Sequence, residues 1–367
     1  MPPLATWTST ALPPGATAAP RRDGRLRRAL ARLGAPWFTL AGFALLALGL
    51  LAWRVDVRVP QAAVVVPLAL LAFNLAAAMV LRPALRRGGL GLFHAALLAL
   101  LLLAGWGRLN HFDAHVEVAS GTPLDVAQLQ IDSQGPLHQL DPTVLQFEQG
   151  PIRIDYAPGL NRGHTHSQVQ RTDAFGRVQT LTVGDDQPLQ LGRYRLYTSP
   201  NKGHAVLLSW QGAGMAEPLS GVLHFPSYPL LDWRQQNEWT APDGQRWRVR
   251  LQPDQPVPNA AAWTFAPDQA GATLVIEPDG GPGGSAVGPS RALRPGESVV
   301  LGGTRIGYVR LTGWMGYRVF HDPTLGLLLW VALAGVAGLG WHLRGRLASL
   351  PQTTSAGPAL CHHEEAP

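Results

Sequence analysis

Leu90-Gly-Leu-Phe-His-Ala-Ala-Leu-Leu-Ala-Leu-Leu-Leu-Leu-Ala-Gly-Trp-Gly-Arg-Leu109 holds a single charged side chain, Arg108, close to its end. As a helix this run would rise about 30 Å, the thickness of a bilayer's hydrocarbon layer. A core helix of a soluble protein keeps a polar face, and this run has almost none. From His111 onward the pattern changes to short alternating runs divided by Gly, Pro, Asn and Asp. A membrane span that passes directly into a β-rich domain is the reading that fixes the fold.

Three further runs have the same character: about Trp37 to Trp53, Gln61 to Leu81 and Leu325 to Leu343. Trp37, Trp53, Trp106 and Trp341 sit near their ends, where indole rings favour the membrane interface. Composition agrees. Of 367 residues 46% are hydrophobic and 15% charged, against about 25% charged in soluble domains. Mean hydropathy is +0.04 and the pI is near 10.1.

The net charge of +6 does not argue for nucleic acid, because the arginines cluster beside the apolar runs. Arg21, Arg22, Arg25, Arg27, Arg28 and Arg32 precede the first run, Arg82, Arg86 and Arg87 lie between the second and third, and Arg344 and Arg346 come after the fourth. Four crossings place all three clusters on one side, which the positive-inside rule makes cytoplasmic. Arg54, Asp56 and Arg58 nearly balance on the other side. No small-residue cleavage site precedes Arg54, so the first run reads as a retained span rather than a signal peptide. The predicted plan is a disordered basic cytoplasmic segment over 1–34, three transmembrane helices over 35–109, a β-rich exported domain over 110–321, a fourth helix over 322–345 and a disordered tail over 346–367. Arginine- and alanine-rich composition fits a high-GC bacterium, so the expected location is the inner membrane, with the domain in the periplasm.

The exported segment reads as an antiparallel, sandwich-like all-β domain. Strands are expected at Val144–Phe147, Ile152–Tyr156, Val178–Val183, Tyr194–Tyr197, Ala205–Trp210, Trp247–Leu251, Thr273–Ile276 and Arg305–Leu311, with a hairpin around Asp173–Gly176 and a flexible loop at Asp279–Ser285. The 41 glycines and 32 prolines suit a turn-rich domain. Pro188–Tyr197 echoes Ser298–Tyr308 in a strand–Gly–strand rhythm, as two related lobes or chance would give. The single cysteine, Cys361, excludes an internal disulfide and any Cys-x-x-Cys zinc site.

The third span and the strand after it, Arg87-Gly-Gly-Leu-Gly-Leu-Phe-His-Ala-Ala-Leu-Leu and Val116-Glu-Val-Ala-Ser-Gly-Thr-Pro-Leu, resemble ResB-type (system II) cytochrome c biogenesis proteins. Ile152-Arg-Ile-Asp-Tyr, His166-Ser167 and Thr182 to Tyr197 are similar to that family's central β region, and Gly316 to Gly326 to its closing strand and last helix. The resemblance keeps chain order over about residues 35–345. The chain departs from it in Asp186-Gln187, where the family usually has Asn before Pro-Leu, in Thr198 after Tyr197, and in a shorter exported domain. Such a divergent, short member would be a subunit that helps move or present haem to apocytochrome c beside a ResC/CcsA-type multi-helix partner in the lipid bilayer. The partner would supply most haem ligands, so no catalytic residue is implied here.

Histidines are the candidate haem contacts. His94 lies inside the third span, where an ionisable residue is a functional hypothesis by default; a helix–helix hydrogen bond or an interfacial position is the plainer alternative. His111, His115 and His321 flank the third and fourth helices, with Arg108 as a cation for haem carboxylates; ordinary interfacial residues are the commoner case. His342 near the cytoplasmic end is a weaker candidate. In the β domain, His164 and His166 would share one strand face, and His204 and His224 carry no motif. Cys361-His362-His363-Glu364-Glu365 is metal-like but terminal. Trp233, Trp239, Trp247, Trp263 and Trp314 give an aromatic surplus that suits either core or ligand stacking. The sequence holds no Gly-x-Ser-x-Gly, His-Glu-x-x-His or phosphate-binding loop, and Asp125, Asp132 and Asp141 are too scattered for an acid–base pair, so neither an enzyme nor a metal site is expected. One rival reading is a membrane-anchored adaptor of another envelope or respiratory complex, without haem contact; a second is a sensor whose β domain binds a small ligand and signals through the helices.

Overall fold

The computed structural model describes residues 28, 31–56, 59–172, 175–279 and 289–348. The expected lead over 1–20, most of the first arginine cluster, the loop after Asp279, the Asp173 side of the hairpin turn and the tail with Cys361 lie outside the described residues. Two compact units divide the chain: one holds the helical segments up to Trp106 and from Gly326 on, the other runs from Gly107 to Leu325.

The helices are α1 (Pro36–Val55), α2 (Ala62–Leu81), α3 (Gly88–Asn110) and α4 (Leu325–Ala348). All four are long and apolar enough to cross a membrane, and the chain is a multi-pass membrane protein with an inserted antiparallel β domain. Residues 31–33 are also helical, and α4 continues beyond residue 345. In lipid, close backbone approach rather than hydrophobic burial holds helices together. A Cβ on Gly338 would come within 2.8 Å of the Phe93 nitrogen and 2.9 Å of the Gly89 oxygen, so α3 and α4 meet through glycine. In α2 the buried Asn74 is fully engaged: Thr39 Oγ1 donates to its Oδ1 at 2.7 Å, and its Nδ2 donates to the Leu33 and Ala35 carbonyls. An amide in an apolar helix needs such partners to offset its desolvation.

The second unit holds three antiparallel sheets. The largest joins β1 (Phe112–Ala119), β2 (Gln130–Gln134), β6 (Leu189–Leu191), β7 (Tyr194–Gln211), β8 (Leu219–His224), β14 (Ser298–Leu301) and β15 (Thr304–His321). The second has β3 (Glu148–Ala157), β4 (Asn161–Thr172), β5 (Val178–Val183) and β11 (Trp263–Phe265); the third has β9 (Gln236–Thr240), β10 (Arg246–Pro253), β12 (Ala272–Pro278) and β13 (Arg291–Leu293). β7 and β15, 18 residues each, pair along nearly their whole length.

These two long strands build two lobes. Tyr194 and Leu196 of β7, with Met315, Tyr317 and Val319 of β15, pack with Ile152, Ile154, Val169 and Phe265 into one core. Val206, Leu208 and Trp210 of β7, with Ile306 and Tyr308 of β15, pack with Val249, Leu251, Leu274 and Ile276 into another. Each strand therefore serves both cores in turn. The repeated strand–Gly–strand rhythm has a structural counterpart: β6–β7 and β14–β15 are hairpins with tight turns at Gly192 (φ 56°) and at Gly302 and Gly303 (φ 58° and 85°).

Two strand expectations are corrected. Tyr194–Tyr197 and Ala205–Trp210 are one strand, not two. The turn-like Pro200-Asn201-Lys202-Gly203 between them lies where the β7–β15 register shifts between Met315 and Tyr317. A bulge lets a strand bend without ending, and a Cβ on Gly316 would come within 3.0 Å of the Asn201 carbonyl. Val144–Phe147 is irregular turn rather than strand. Its alternation comes from Leu145 and Phe147, which plug the first core from a loop.

Candidate functional site

Phe112, the first residue of β1, pairs with His321, the last of β15. That register brings together the segment leaving α3 and the segment leading to α4. His111, His138 and His321 are all buried there. The His138 ring stacks on Phe112 at 4.9 Å and lies 5.4 Å from the His321 ring, and Tyr194 meets both histidines edge-on or tilted at 5.8 and 5.7 Å.

Backbone carbonyls set the tautomers. A carbonyl can only accept, so an imidazole nitrogen facing one must carry the proton. His111 Nδ1 donates to the Arg108 carbonyl at 2.8 Å, His138 Nδ1 to Asn110 at 3.1 Å and His321 Nδ1 to Arg193 at 3.0 Å. Each neutral ring then presents a lone pair at Nε2. For His111 it faces Ser133 Oγ at 2.6 Å, and for His138 the Tyr194 hydroxyl at 3.2 Å. His321 Nε2 has no hydrogen-bond partner among the described residues. Burial pushes all three imidazoles below the usual histidine range, ahead of the opposing pull of their backbone hydrogen bonds. They stay neutral at neutral pH.

His94 Nδ1 donates to the Leu90 carbonyl at 2.7 Å, one turn back in α3. That bond occupies Nδ1 and leaves Nε2 as the nitrogen that could meet haem iron. Arg108 offers its carbonyl to His111 and lies within electrostatic reach of the Asp322 carboxylate.

His115 does not join His111 and His321. It alternates to the outer face of β1, where Asp132 holds its Nδ1 at 2.9 Å and raises its pKa, and Gln130 meets Nε2 at 2.9 Å. His164 and His166 do share a face of β4, rings 6.3 Å apart. His224 stacks on Trp314 at 5.4 Å. His342 is half-buried in α4. Among the described residues no group of three His, Cys, Asp or Glu is placed to hold a metal ion. Sequence reading missed His138, which comes from a loop 27 residues after His111 in the chain and carries no motif.

No protein-family model matches the chain. It is 25% identical over 232 residues to the cytochrome c biogenesis protein CcsB of Microcystis aeruginosa, a match covering 63% of this chain and 46% of that protein. It is 26% identical over 235 residues to CcsB of Synechococcus elongatus, covering 63% and 45%. The chain spans about half the length of the curated relatives it matches. It is a multi-pass membrane protein with a distant, partial likeness to cytochrome c biogenesis proteins.

Proposed function

We propose that this chain is a membrane subunit of the cytochrome c assembly machinery, helping to move or present haem to apocytochrome c beside a ResC/CcsA-type multi-helix partner. The observation that carries the reading is the match to CcsB proteins over 63% of the chain. Arg82, Arg86, Arg87, Arg344 and Arg346 at helix ends support an orientation with those ends cytoplasmic and the β domain in the periplasm of a bacterial inner membrane.

The chain's part is non-covalent. Haem is cargo, and histidine suits it: in His94 and, separately, in His321 a backbone carbonyl holds Nδ1 and turns Nε2 away as the nitrogen that could meet iron. Arg108 would meet a haem carboxylate in exchange for Asp322. Phe112, Tyr194 and His138 hold the His321 ring in place rather than touching cargo. No side chain here is assigned a catalytic role.

Purifying the tagged chain from its native membranes with its co-purifying partners, and recording the reduced absorption spectrum, tests the haem contact. The expected result is a haem Soret band that His94→Ala weakens severalfold. An unchanged band in both His94→Ala and His321→Ala would remove haem ligation from this chain's role.

A further inference from the structure

A cavity of about 690 Å³ opens in the β unit, walled by His204, Tyr228, Trp263 and Phe265 and rimmed by the Pro253–Pro258 loop and by Gln269 to Gly271. That size lies within the range of small-molecule sites. His204 stands on β7 where the strand passes from one lobe to the other. It pairs with Gly313 of β15 and is only 2% exposed. Its ring lies 4.6 Å from Tyr228 and 5.1 Å from Phe265, centroid to centroid.

Among the described residues neither nitrogen of His204 has a hydrogen-bond partner, and neither does Trp263 Nε1. Buried polar groups in native proteins are nearly always paired, and some close neighbours are. Trp314 Nε1, on the adjacent strand, donates to the Phe225 carbonyl at 2.9 Å. The hydroxyl of buried Tyr317 is paired to both Gln149 and Ser167. Other side chains of this unit, Tyr156, Thr165, Gln235, Trp210, Trp247 and Tyr308 among them, also hold an unpartnered buried atom among the described residues, but none of these lines this cavity. Burial lowers the His204 pKa to about 4, so the ring is neutral and offers one donor and one acceptor. Trp263 adds a second donor.

Charge narrows the ligand. Asp254 is the only charged residue in the lining, and Arg294 Nη1 already holds both of its oxygens at 2.7 and 2.8 Å. A dicarboxylate such as haem finds no cation among these residues, and an ammonium finds no open carboxylate. The walls are three aromatic rings, which favour a flat partner. We propose that this cavity binds a small, uncharged, planar heteroaromatic molecule whose donor–acceptor edge is read by His204 and Trp263. The site is independent of the cytochrome assembly reading.

Saturation-transfer NMR on the full-length protein in detergent, with the neutral lactam 2-quinolone as probe, tests the proposal. The wild type is expected to bind 2-quinolone, with affinity reduced about tenfold or more in His204→Phe and in Trp263→Phe through loss of the polar edge. His204→Gln, which keeps a donor and an acceptor, should retain most of the binding and guards against misfolding in the first variant. 2-Naphthoate, similar in shape but charged, should not bind. No binding of 2-quinolone, equal binding in wild type and His204→Phe, or preference for 2-naphthoate would each overturn the proposal.

Discussion

The rings of His138 and His321 lie 5.4 Å apart, and each is fixed by a backbone carbonyl from a different stretch of chain, Asn110 for one and Arg193 for the other. Through them the end of α3, the β6–β7 turn and the end of β15 are tied together. Tyr194 completes the tie by donating its hydroxyl proton to His138 Nε2. Tyr194→Phe should therefore destabilise the β unit by about 1 kcal/mol, the net worth of a buried hydrogen bond with its partner left unsatisfied. Denaturant titration monitored by near-ultraviolet circular dichroism measures it, and an unchanged midpoint would show the bond to be idle.

Acid should weaken the fold through its buried imidazoles. His204 titrates near 4 in the folded protein against 6.5 for the ordinary side chain, so below about pH 6.5 the unfolded chain takes up a proton that the folded one refuses. Stability is full above pH 6.5 and falls progressively down to about pH 4, by about 3 kcal/mol from this residue. His111, His138 and His321 act in the same direction. The midpoint of thermal unfolding in full-length protein should drop between pH 7 and 5, and His204→Phe should flatten part of that slope. A slope identical in the variant would contradict the assignment.

Tyr317 closes a buried ring of hydrogen bonds across the first lobe. Its hydroxyl donates to Gln149 Oε1 at 2.6 Å and accepts from Ser167 Oγ at 2.6 Å, and Gln149 Nε2 donates to Ser167 Oγ at 2.8 Å. Tyr317→Phe takes the donor from Gln149 Oε1 and one of two partners from Ser167 Oγ in a buried site, at a cost of about 1–3 kcal/mol. The double variant with Ser167→Ala should cost less than the sum of the two single changes, which a double-mutant cycle reads directly.

Between α3 and α4, Gly338 admits no side chain without displacing backbone. Gly338→Leu should force the helices apart and lower the detergent-phase melting temperature by several degrees, in line with about 1–3 kcal/mol of overpacking. Gly340→Leu on the same helix, where an added Cβ meets nothing, is the matched control and should be near neutral.

The helices were legible because runs such as Leu90–Leu109 leave almost no polar face, which suits a membrane span better than the surface of a soluble domain. Val178–Val183 and Trp247–Leu251 were legible as strands because alternation and turn residues agree there. The continuity of β7 was hidden by Pro200-Asn201-Lys202-Gly203, whose turn chemistry serves a bulge opposite Gly316, a partner more than a hundred residues away. Leu145 and Phe147 misled for the reverse reason, since two loop side chains facing one core imitate a strand's period. The histidine cluster was half visible: His111 and His321 flank helices, whereas His138 arrives from a loop. His204 carries no local signal, because what distinguishes it is burial without a partner, a property of three dimensions.

The central claim is that the chain serves cytochrome c assembly. Deleting its gene and staining membrane and periplasmic proteins for covalently bound haem tests this most directly. The account predicts loss of the c-type bands, restored by the wild-type chain and not by His94→Ala at equal abundance. Bands of normal intensity in the deletion strain would contradict it and leave a membrane-anchored adaptor of another complex as the better description.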